Sequence, residues 1–150
     1  MSSPGAPSAL SAEDQGAIHN VLGSYAHRWD SGDFDGFSDL FLPDAIADMA
    51  ITVLRGRDEI RAFHENRIEH FRSAGIQRRH LIGSIVVALG ARANEASISA
   101  YAQVFSTKTG SEAVETLPPT KYEGLLKRAA DGHWRIAHWT ARPDKPFGQR

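Results

Sequence analysis

The sequence predicts an α+β fold in which helices form the first half of the chain and long β-strands form the second. Up to about residue 74, apolar residues recur at spacings of three and four, the period of a helix face. From residue 77 onward, β-rich stretches of roughly ten residues alternate with turn-like segments. The connections between these stretches are too short for crossover helices, so we expect helices packed on one face of an antiparallel sheet.

Residues 1–10 are rich in Ser, Pro, Gly and Ala and are expected to form a flexible tail. The first helix is predicted to begin at Ser11, because Ser11 to Asp14 resembles a capping box whose hydroxyl accepts backbone N–H groups. The helix is predicted to end near Gly32, since glycine suits the left-handed position after a helix. Its apolar face carries Ile18, Val21, Leu22, Tyr25, Ala26 and Trp29.

A short second helix is expected next, with Pro43-Asp44 as its end. Its apolar residues would be Phe34, Phe37, Leu40 and Phe41. The mostly apolar segment 45–54 predicts one or two short strands. A third helix is predicted to follow the turn at 55–59 and to end at Ala74-Gly75, with apolar residues at rough helical spacing.

Four long strands are predicted in the second half, over residues 79–89, 95–107, 115–128 and 133–142. Asp131-Gly132, between the last two, is a strong hairpin signal. We therefore expect one domain over residues 11–143, followed by a C-terminal tail over residues 144–150.

The composition excludes several classes of protein. A length of 150 residues suits a single domain, and a formal charge of −1 gives no general attraction to nucleic acid. The absence of cysteine removes disulfides, thiolate nucleophiles and thiolate zinc sites. No apolar run approaches the roughly 20 residues that span a bilayer, and the first residues lack the pattern of a signal peptide. A cytoplasmic protein with no membrane or nucleic-acid partner is expected.

Seven histidines are present, but their spacing does not predict a metal site. His64 and His70 are six apart and would lie on different helix faces, while His133 and His138 are five apart and would lie on opposite strand faces. The sequence also lacks a dinucleotide fingerprint and a phosphate-binding loop. We therefore expect no metal and no cofactor, with a zinc site assembled from scattered histidines left as an alternative.

Three residues remain as candidates for catalysis: Tyr25, Asp30 and His80. Tyr25 is on the apolar face of the first helix, Asp30 is at the end of that helix, and His80 is near the start of a strand. An inward-facing histidine paired with an aspartate is a competent general base and acid near neutral pH. A tyrosine hydroxyl can donate a hydrogen bond to a substrate oxygen that gains charge.

Spacing alone leaves other interpretations open. On an ideal helix Tyr25 and Asp30 lie about 140° apart, so the two side chains need not share a pocket. Asp30 could be solvated in the last helical turn, and Tyr25 could be an ordinary core residue. His80 could be a buried histidine bonded to backbone, or a surface residue. His138 is less certain than the other histidines, because alternation places it on one strand face with Trp134, Ile136, Thr140 and Arg142, a possible pocket wall.

Five segments, in order over roughly residues 12–142, resemble SnoaL-like proteins of the nuclear-transport-factor-2-like superfamily. They are Tyr25-Ala-His-Arg-Trp-Asp-Ser-Gly-Asp-Phe-Asp-Gly-Phe37, Leu40-Phe-Leu-Pro-Asp-Ala45, Leu54-Arg-Gly-Arg-Asp-Glu-Ile-Arg-Ala-Phe63, Arg79-His-Leu81 and Gly132-His-Trp-Arg-Ile136. The resemblance implies a cone-shaped α+β barrel, with three N-terminal helices on a strongly curved antiparallel sheet around a pocket. It also implies a homodimer through the outer sheet face. The family covers several activities, so the fold alone does not name one.

The resemblance also suggests roles for individual residues. In the branch similar to scytalone dehydratase and the bile-acid dehydratases, a Tyr and an Asp of the first helix meet a His of the sheet, and Tyr25, Asp30 and His80 match those positions. The position that matches the base of ketosteroid isomerases is Met49, and Asp48 is one residue short of it. A slip of one residue in a strand turns a side chain to the other face, which disfavours that mechanism.

We therefore expect a cofactor-independent lyase or isomerase, of dehydratase or cyclase type, that acts on a hydrophobic oxygenated small molecule. His80 would take a proton next to a carbonyl, oriented by Asp30, and Tyr25 would stabilise the enolate oxygen or help to protonate the leaving hydroxyl. The substrate-binding residues are expected to be Trp29, Phe41, Ile82, His138 and Trp139. The alternatives are a small-molecule-binding domain without catalysis and the small subunit of a ring-hydroxylating dioxygenase.

Overall fold

A computed structural model describes residues 10–147 as three helices and seven strands. The helices are α1 (Ala12–Ser31), α2 (Phe34–Ser38) and α3 (Arg57–Ser73). The strands are β1 (Phe41–Asp48), β2 (Val53–Arg55), β3 (Ile76–Leu89), β4 (Glu95–Lys108), β5 (Val114–Thr116), β6 (Thr120–Arg128) and β7 (Trp134–Pro143). The predicted tail at residues 1–10 lies outside the described part except for Leu10, which packs against the core.

All seven strands form one curled sheet in the order β2-β1-β7-β6-β4-β3, with β5 paired to β4. The helices pack on this sheet, so the predicted α+β fold is confirmed. The sheet is mixed rather than antiparallel throughout, because β1 runs parallel to β7. It is also not closed into a full barrel, since β2 and β3 are its two ends.

The first helix forms as its sequence predicts. The Ser11 hydroxyl accepts the backbone N–H of Asp14 at 3.0 Å, and Gly32 ends the helix in the left-handed conformation with φ 70°. All six residues of the predicted apolar face are buried. They form the helical side of the main core, opposite the inner face of the sheet.

The second helix is shorter than predicted. It ends at Ser38, so the placement of Leu40 and Phe41 in that helix is wrong, and Phe41 instead begins β1. Pro43 does not end a helix but lies within β1, between Phe41 and Ile46, where the register against β7 shifts. Proline has no N–H for a sheet ladder, which accounts for an irregularity at this place.

The predicted strand over 115–128 is two strands. β5 ends at Thr116 and β6 begins at Thr120, and Leu117-Pro118-Pro119 connects them. Two consecutive prolines cannot donate to a ladder, so the sheet pairing stops there. The connection is important for the site, because all three of its residues line the main cavity.

A β-bulge in β7 changes which side chains face the core. Ile136 pairs with Leu126 and His138 pairs with Leu125, so Ala137 is an extra residue. Trp134 and Ile136 are buried before the bulge, and Trp139 and Ala141 are buried after it. The expectation that Trp134, Ile136, His138, Thr140 and Arg142 share one face is therefore wrong. Among residues 10–147, no helix has the length and apolar character needed to cross a bilayer.

Candidate functional site

Asp30 and His80 form a close pair between the end of α1 and strand β3. Asp30 Oδ1 lies 2.6 Å from His80 Nδ1, and Asp30 Oδ2 accepts the backbone N–H of His80 at 2.8 Å. The side chains are only 6% and 10% exposed, respectively. The carboxylate therefore holds both the ring and the backbone of His80, and Asp30 is not the solvated helix-end residue that spacing alone allowed.

The pairing depends on how β3 meets the end of α1. The Gln77 side-chain amide donates to the backbone carbonyl of Asp30 at 3.1 Å, which joins the two elements a second time. His80 is three residues further along the strand. Alternation along β3 places Arg78 and His80 on the half-buried face and Gln77 and Arg79 on the exposed face.

The contact with Asp30 fixes the chemistry of the imidazole. A carboxylate oxygen accepts hydrogen bonds, so His80 Nδ1 donates to it and carries a proton. In the neutral ring, the lone pair is then on Nε2, the nitrogen available to a substrate. The Tyr25 and Trp29 rings flank the imidazole at steep angles, with ring centres at 6.5 and 6.1 Å.

Tyr25 lies in the aromatic centre of the protein. Its ring stacks on Trp139 at 4.7 Å and meets Tyr122 at 5.8 Å. Burial raises the pKa of the Tyr25 hydroxyl well above its ordinary value, and the nearby Tyr122 and Asp30 add to this effect. Tyr25 is thus a proton donor in hydrogen bonds at neutral pH.

Tyr122 of β6 is a second buried tyrosine at the same place, and the sequence did not identify it as a site residue. Its ring lies 4.8 Å from that of Trp139. Burial, followed by the negative charge of Asp30, raises the pKa of its hydroxyl. Thr120, Tyr122 and Leu126 are the buried residues of β6 and lie at even spacing along the strand. This alternation is visible in the sequence and could have indicated that Tyr122 faces inward.

Tyr25, His80 and Tyr122 border a cavity of about 960 Å³ between the helices and the inner face of the sheet. That volume is at the upper end of the usual range for small-molecule sites. The lining is mainly aromatic and aliphatic, with a few polar and charged side chains. It consists of Tyr25, Trp29, Met49, Ile51, Phe63, Arg67, Phe71, Arg78, His80, Val104, Thr116, Leu117, Pro118, Pro119, Thr120, Tyr122, Ala141, Asp144, Lys145 and Phe147.

The structure divides the predicted substrate-binding residues into three groups. Trp29 lines the cavity. Phe41 and Trp139 are buried beside Tyr25, and Ile82 is half-buried against the core, so these three lie outside the lining. His138 is exposed and also lies outside the lining, because the bulge at Ala137 turns it away from the core.

Several lining residues were missed by the sequence interpretation. Phe63, Arg67 and Phe71 are contributed by one face of α3, and Arg78 shares a strand face with His80. Both patterns are visible in the sequence. By contrast, Asp144, Lys145 and Phe147 belong to the segment expected to be a C-terminal tail, and no sequence pattern directed them to the cavity.

His64 is buried in α3 but outside the cavity lining, and it serves the fold. Its Nε2 donates to the backbone carbonyl of Trp29 at 3.0 Å, and its ring stacks on that of Trp29 at 4.5 Å. Burial lowers the pKa of His64, so the ring is neutral. Within residues 10–147, no three His, Asp or Glu side chains are grouped closely enough to hold a metal ion.

A curled mixed sheet, three helices and a cavity between them define the nuclear-transport-factor-2-like, cystatin-like class of fold. Within that class the chain belongs to the SnoaL-like domain family, whose model matches residues 10–140. The family includes polyketide cyclases and proteins related to ring hydroxylation. A search of the curated proteins finds no match.

Similar solved structures agree with this assignment. Aln2 from a Streptomyces species is 29% identical, with 90% of this chain and 93% of that chain covered and a TM-score of 0.77. ActVI-ORFA from Streptomyces coelicolor is 21% identical, with coverages of 92% and 100% and a TM-score of 0.82. A putative aromatic ring hydroxylase from Novosphingobium aromaticivorans is 24% identical, with coverages of 93% and 94% and a TM-score of 0.75. The similarity to ActVI-ORFA and to the putative aromatic ring hydroxylase shows a shared fold alone.

Proposed function

We propose that this protein is a cofactor-independent lyase or isomerase, of dehydratase or cyclase type, acting on a hydrophobic oxygenated small molecule. The observation that carries the proposal is the contact of 2.6 Å between Asp30 and His80 at the edge of a largely apolar cavity. Both side chains are nearly inaccessible to water, which strengthens their electrostatic coupling. A histidine held in this way is a general base aimed at a bound substrate.

His80 Nε2 takes the proton from a carbon next to a carbonyl group, and the C–H electron pair forms an enolate. In a dehydration, the enolate expels a hydroxyl from the next carbon. His80 returns its proton to that hydroxyl, which leaves as water. In an isomerisation, the proton returns to a different carbon. Asp30 stabilises the imidazolium in both cases, and help of this kind contributes typically 10²–10⁴-fold to the rate.

Tyr25 and Tyr122 stabilise the enolate oxygen by donating hydrogen bonds. Their raised pKa values keep both phenols protonated near neutral pH, so they act as donors and not as bases. The same raised pKa makes Tyr25 a weak acid. Protonation of the leaving hydroxyl is therefore assigned to His80 and not to Tyr25.

The outer face of the sheet is proposed as a homodimer surface. Leu81 and Tyr101 are 58% and 62% exposed on neighbouring strands, and Val86 is 64% exposed on the same strand as Leu81. Clustered apolar side chains of this kind are typical of protein contacts. Light scattering of the purified chain should give twice the monomer mass.

Proton exchange is the direct test of the proposed chemistry. Wild-type protein, His80→Ala and His138→Ala are incubated in D₂O with bicyclic aromatic ketones such as 1-tetralone, and loss of the proton next to the carbonyl is followed by NMR. The wild type and His138→Ala should accelerate exchange equally, and His80→Ala should lose the acceleration. Full exchange by a folded His80→Ala would contradict the proposal. Binding without exchange would favour the binding domain, and isolation with a larger metal-containing partner would favour the dioxygenase subunit.

A further inference from the structure

We infer that the substrate carries an uncharged apolar group on the side remote from its carbonyl, and that Ile51 binds this group at the mouth of the cavity. The inference rests on the proposed function, and it adds the substrate class and a residue that selects it. Ile51 lies in the turn between β1 and β2, and its side chain lines the cavity.

The mouth of the cavity is formed by three connections at one end of the sheet. β1 and β7 run parallel and end there, and β6 begins there because it is antiparallel to β7. The turn after β1, the connection before β6 and the segment after β7 therefore meet at this end. Most of the lining side chains that they contribute are apolar, namely Met49, Ile51, Leu117, Pro118, Pro119 and Phe147.

Ile51 is 59% exposed, although it lines the cavity. Within residues 10–147, it is the one large aliphatic or aromatic side chain that is both strongly exposed and part of the lining. An apolar side chain in water gains free energy when an apolar ligand covers it, and a polar ligand gives less of this gain. The exposed surface of Ile51 therefore favours a ligand that is apolar where it meets the mouth.

The turn holds Ile51 in place. The Met49 N–H donates to the backbone carbonyl of Thr52 at 2.9 Å, and the Ala50 N–H donates to Asp48 Oδ1 at 3.0 Å. Ala50 is in the left-handed conformation with φ 69°, which alanine adopts rarely, and these two hydrogen bonds stabilise it there. Met49 also packs against the core. An ordered turn thus presents Ile51, which limits the entropy lost when a ligand covers it.

The proline connection at the mouth is anchored as well. The Leu117 N–H donates to the backbone carbonyl of Val104 at 3.0 Å, and the Asp144 N–H donates to that of Pro119 at 2.9 Å. Of the lining residues in the three connections, Asp144 and Lys145 are charged, and both are exposed. Their charges are opposite, so the mouth favours neither an acid nor an amine.

The sheet order separates Ile51 from the catalytic pair. β1 and β3 are four strand positions apart, about 19 Å along the curled sheet at the usual spacing of strands. A ligand with its carbonyl at His80 therefore meets Ile51 through a group that extends across the cavity. The volume of about 960 Å³ leaves room for such a group beside a two-ring ketone.

Three neutral ketones test the inference by binding, without any turnover. They are 1-tetralone, 6-butyl-1-tetralone, and 6-(3-hydroxypropyl)-1-tetralone, whose chain has the same length but ends in a hydroxyl. Calorimetry on the full chain measures their affinities for the wild type, Ile51→Ser and Val53→Ser. Val53→Ser is the matched control, because Val53 is 47% exposed near Ile51 in the chain but lies outside the lining. Thermal denaturation checks that each variant is folded.

The wild type and Val53→Ser should bind the butyl ketone about tenfold more tightly than 1-tetralone, whereas the hydroxypropyl chain should add less than about twofold. Ile51→Ser should weaken binding of the butyl ketone by about fivefold and that of 1-tetralone by less than about twofold. Equal affinities of the wild type for the butyl ketone and either other ketone would overturn the inference. So would an equal loss in Ile51→Ser and Val53→Ser, or failure of the butyl ketone to bind at millimolar concentration.

Light scattering tests the other role open to an exposed isoleucine, a contact with a second copy of the chain. Ile51→Ser should have the same mass in solution as the wild type. A lower mass, together with unchanged binding of all three ketones, would assign Ile51 to that contact and overturn the inference.

The outcome is separable from that of the proposed function. Absence of proton exchange with every ketone, with the gain from the butyl chain intact, would reject catalysis and keep the apolar subsite. Proton exchange that depends on His80, with no gain from the butyl chain, would reject the subsite and keep catalysis.

Discussion

Asp30 binds His80 at two points, with one carboxylate oxygen 2.6 Å from Nδ1 and the other 2.8 Å from the backbone N–H. The contact with Nδ1 fixes the imidazole ring and the position of its proton. The contact with the backbone N–H fixes the strand. A helix end and a strand 50 residues further along the chain are thereby held as one unit. The chemistry assigned to His80 depends on both contacts.

The first prediction concerns the tautomer of His80. Asp30→Asn keeps the shape of the side chain but replaces a pure acceptor with a group that has both donor and acceptor atoms. We expect ¹⁵N NMR of the wild type to show, for the neutral His80 ring, a proton on Nδ1 and a free Nε2. The Asn variant should shift part of the population to the other tautomer. An unchanged pattern in a folded Asn variant would show that Asp30 does not set the tautomer.

The second prediction concerns alkaline pH. The pKa values of Tyr25 and Tyr122 are raised in the folded protein, so both stay protonated above pH 10.0, where an unfolded tyrosine ionises. The folded state then binds more protons than the unfolded state, and stability is lost as the pH rises above about 10. Tyr25→Phe should reduce this loss, with Tyr101→Phe, at an exposed position, as the control. Urea denaturation measures the free energy of unfolding at each pH. An equal loss of stability above about pH 10 in the wild type, Tyr25→Phe and Tyr101→Phe would count against the burial of Tyr25.

The third prediction concerns acid pH. The pKa of His64 is lowered by burial, so the unfolded state binds a proton below about pH 6.5 that the folded state does not. Stability is therefore complete above that pH and falls as the pH drops below it. His64→Phe should be less stable than the wild type at pH 8, because the backbone carbonyl of Trp29 loses its hydrogen-bond donor. Between pH 6.5 and 5, however, the stability of the variant should fall less steeply than that of the wild type. His70→Phe, at an exposed position, should keep the wild-type slope, and a wild-type slope in His64→Phe would contradict the assignment.

The fourth prediction links core packing to the site. A Cβ atom at Gly124 would lie 3.2 Å from Trp139 Cε3 and 3.2 Å from Ile98 Cγ1, both tighter than ordinary contact. Gly124→Val should push Trp139 against Tyr25 and destabilise the fold by about 1–3 kcal/mol. Gly83→Val is a control, since nothing lies within 4 Å of a Cβ there. Equal melting temperatures for the two variants would show that the core around Trp139 tolerates the added volume.

The sequence predicted those features that depend on the residues of a single helix or strand. The period of α1 identified Tyr25 and Trp29 as inward residues, and Ser11 and Gly32 marked its ends. The pairing of Asp30 with His80 required the resemblance to a family, because it depends on how β3 crosses the end of α1.

Non-local features account for the rest. Strict alternation along the last strand predicts His138 on a possible pocket wall, and the bulge at Ala137 breaks that alternation. The proline connection after Thr116 and the segment beyond β7 reach the cavity only through the curl of the sheet. Arg78 could have been found, since it shares the parity of His80 along one strand.

The most direct test of the catalytic pair is the rate of proton exchange by Asp30→Asn, with Asp35→Asn as a matched control. Asp35 is 90% exposed at the surface, so the control makes the same chemical change away from the site. We predict that Asp30→Asn lowers the maximal rate of exchange by about 10²–10⁴-fold with little change in ketone binding, and that Asp35→Asn has the wild-type rate. A folded Asp30→Asn protein that exchanges protons as fast as Asp35→Asn would contradict the assignment of Asp30 and His80 as the catalytic pair.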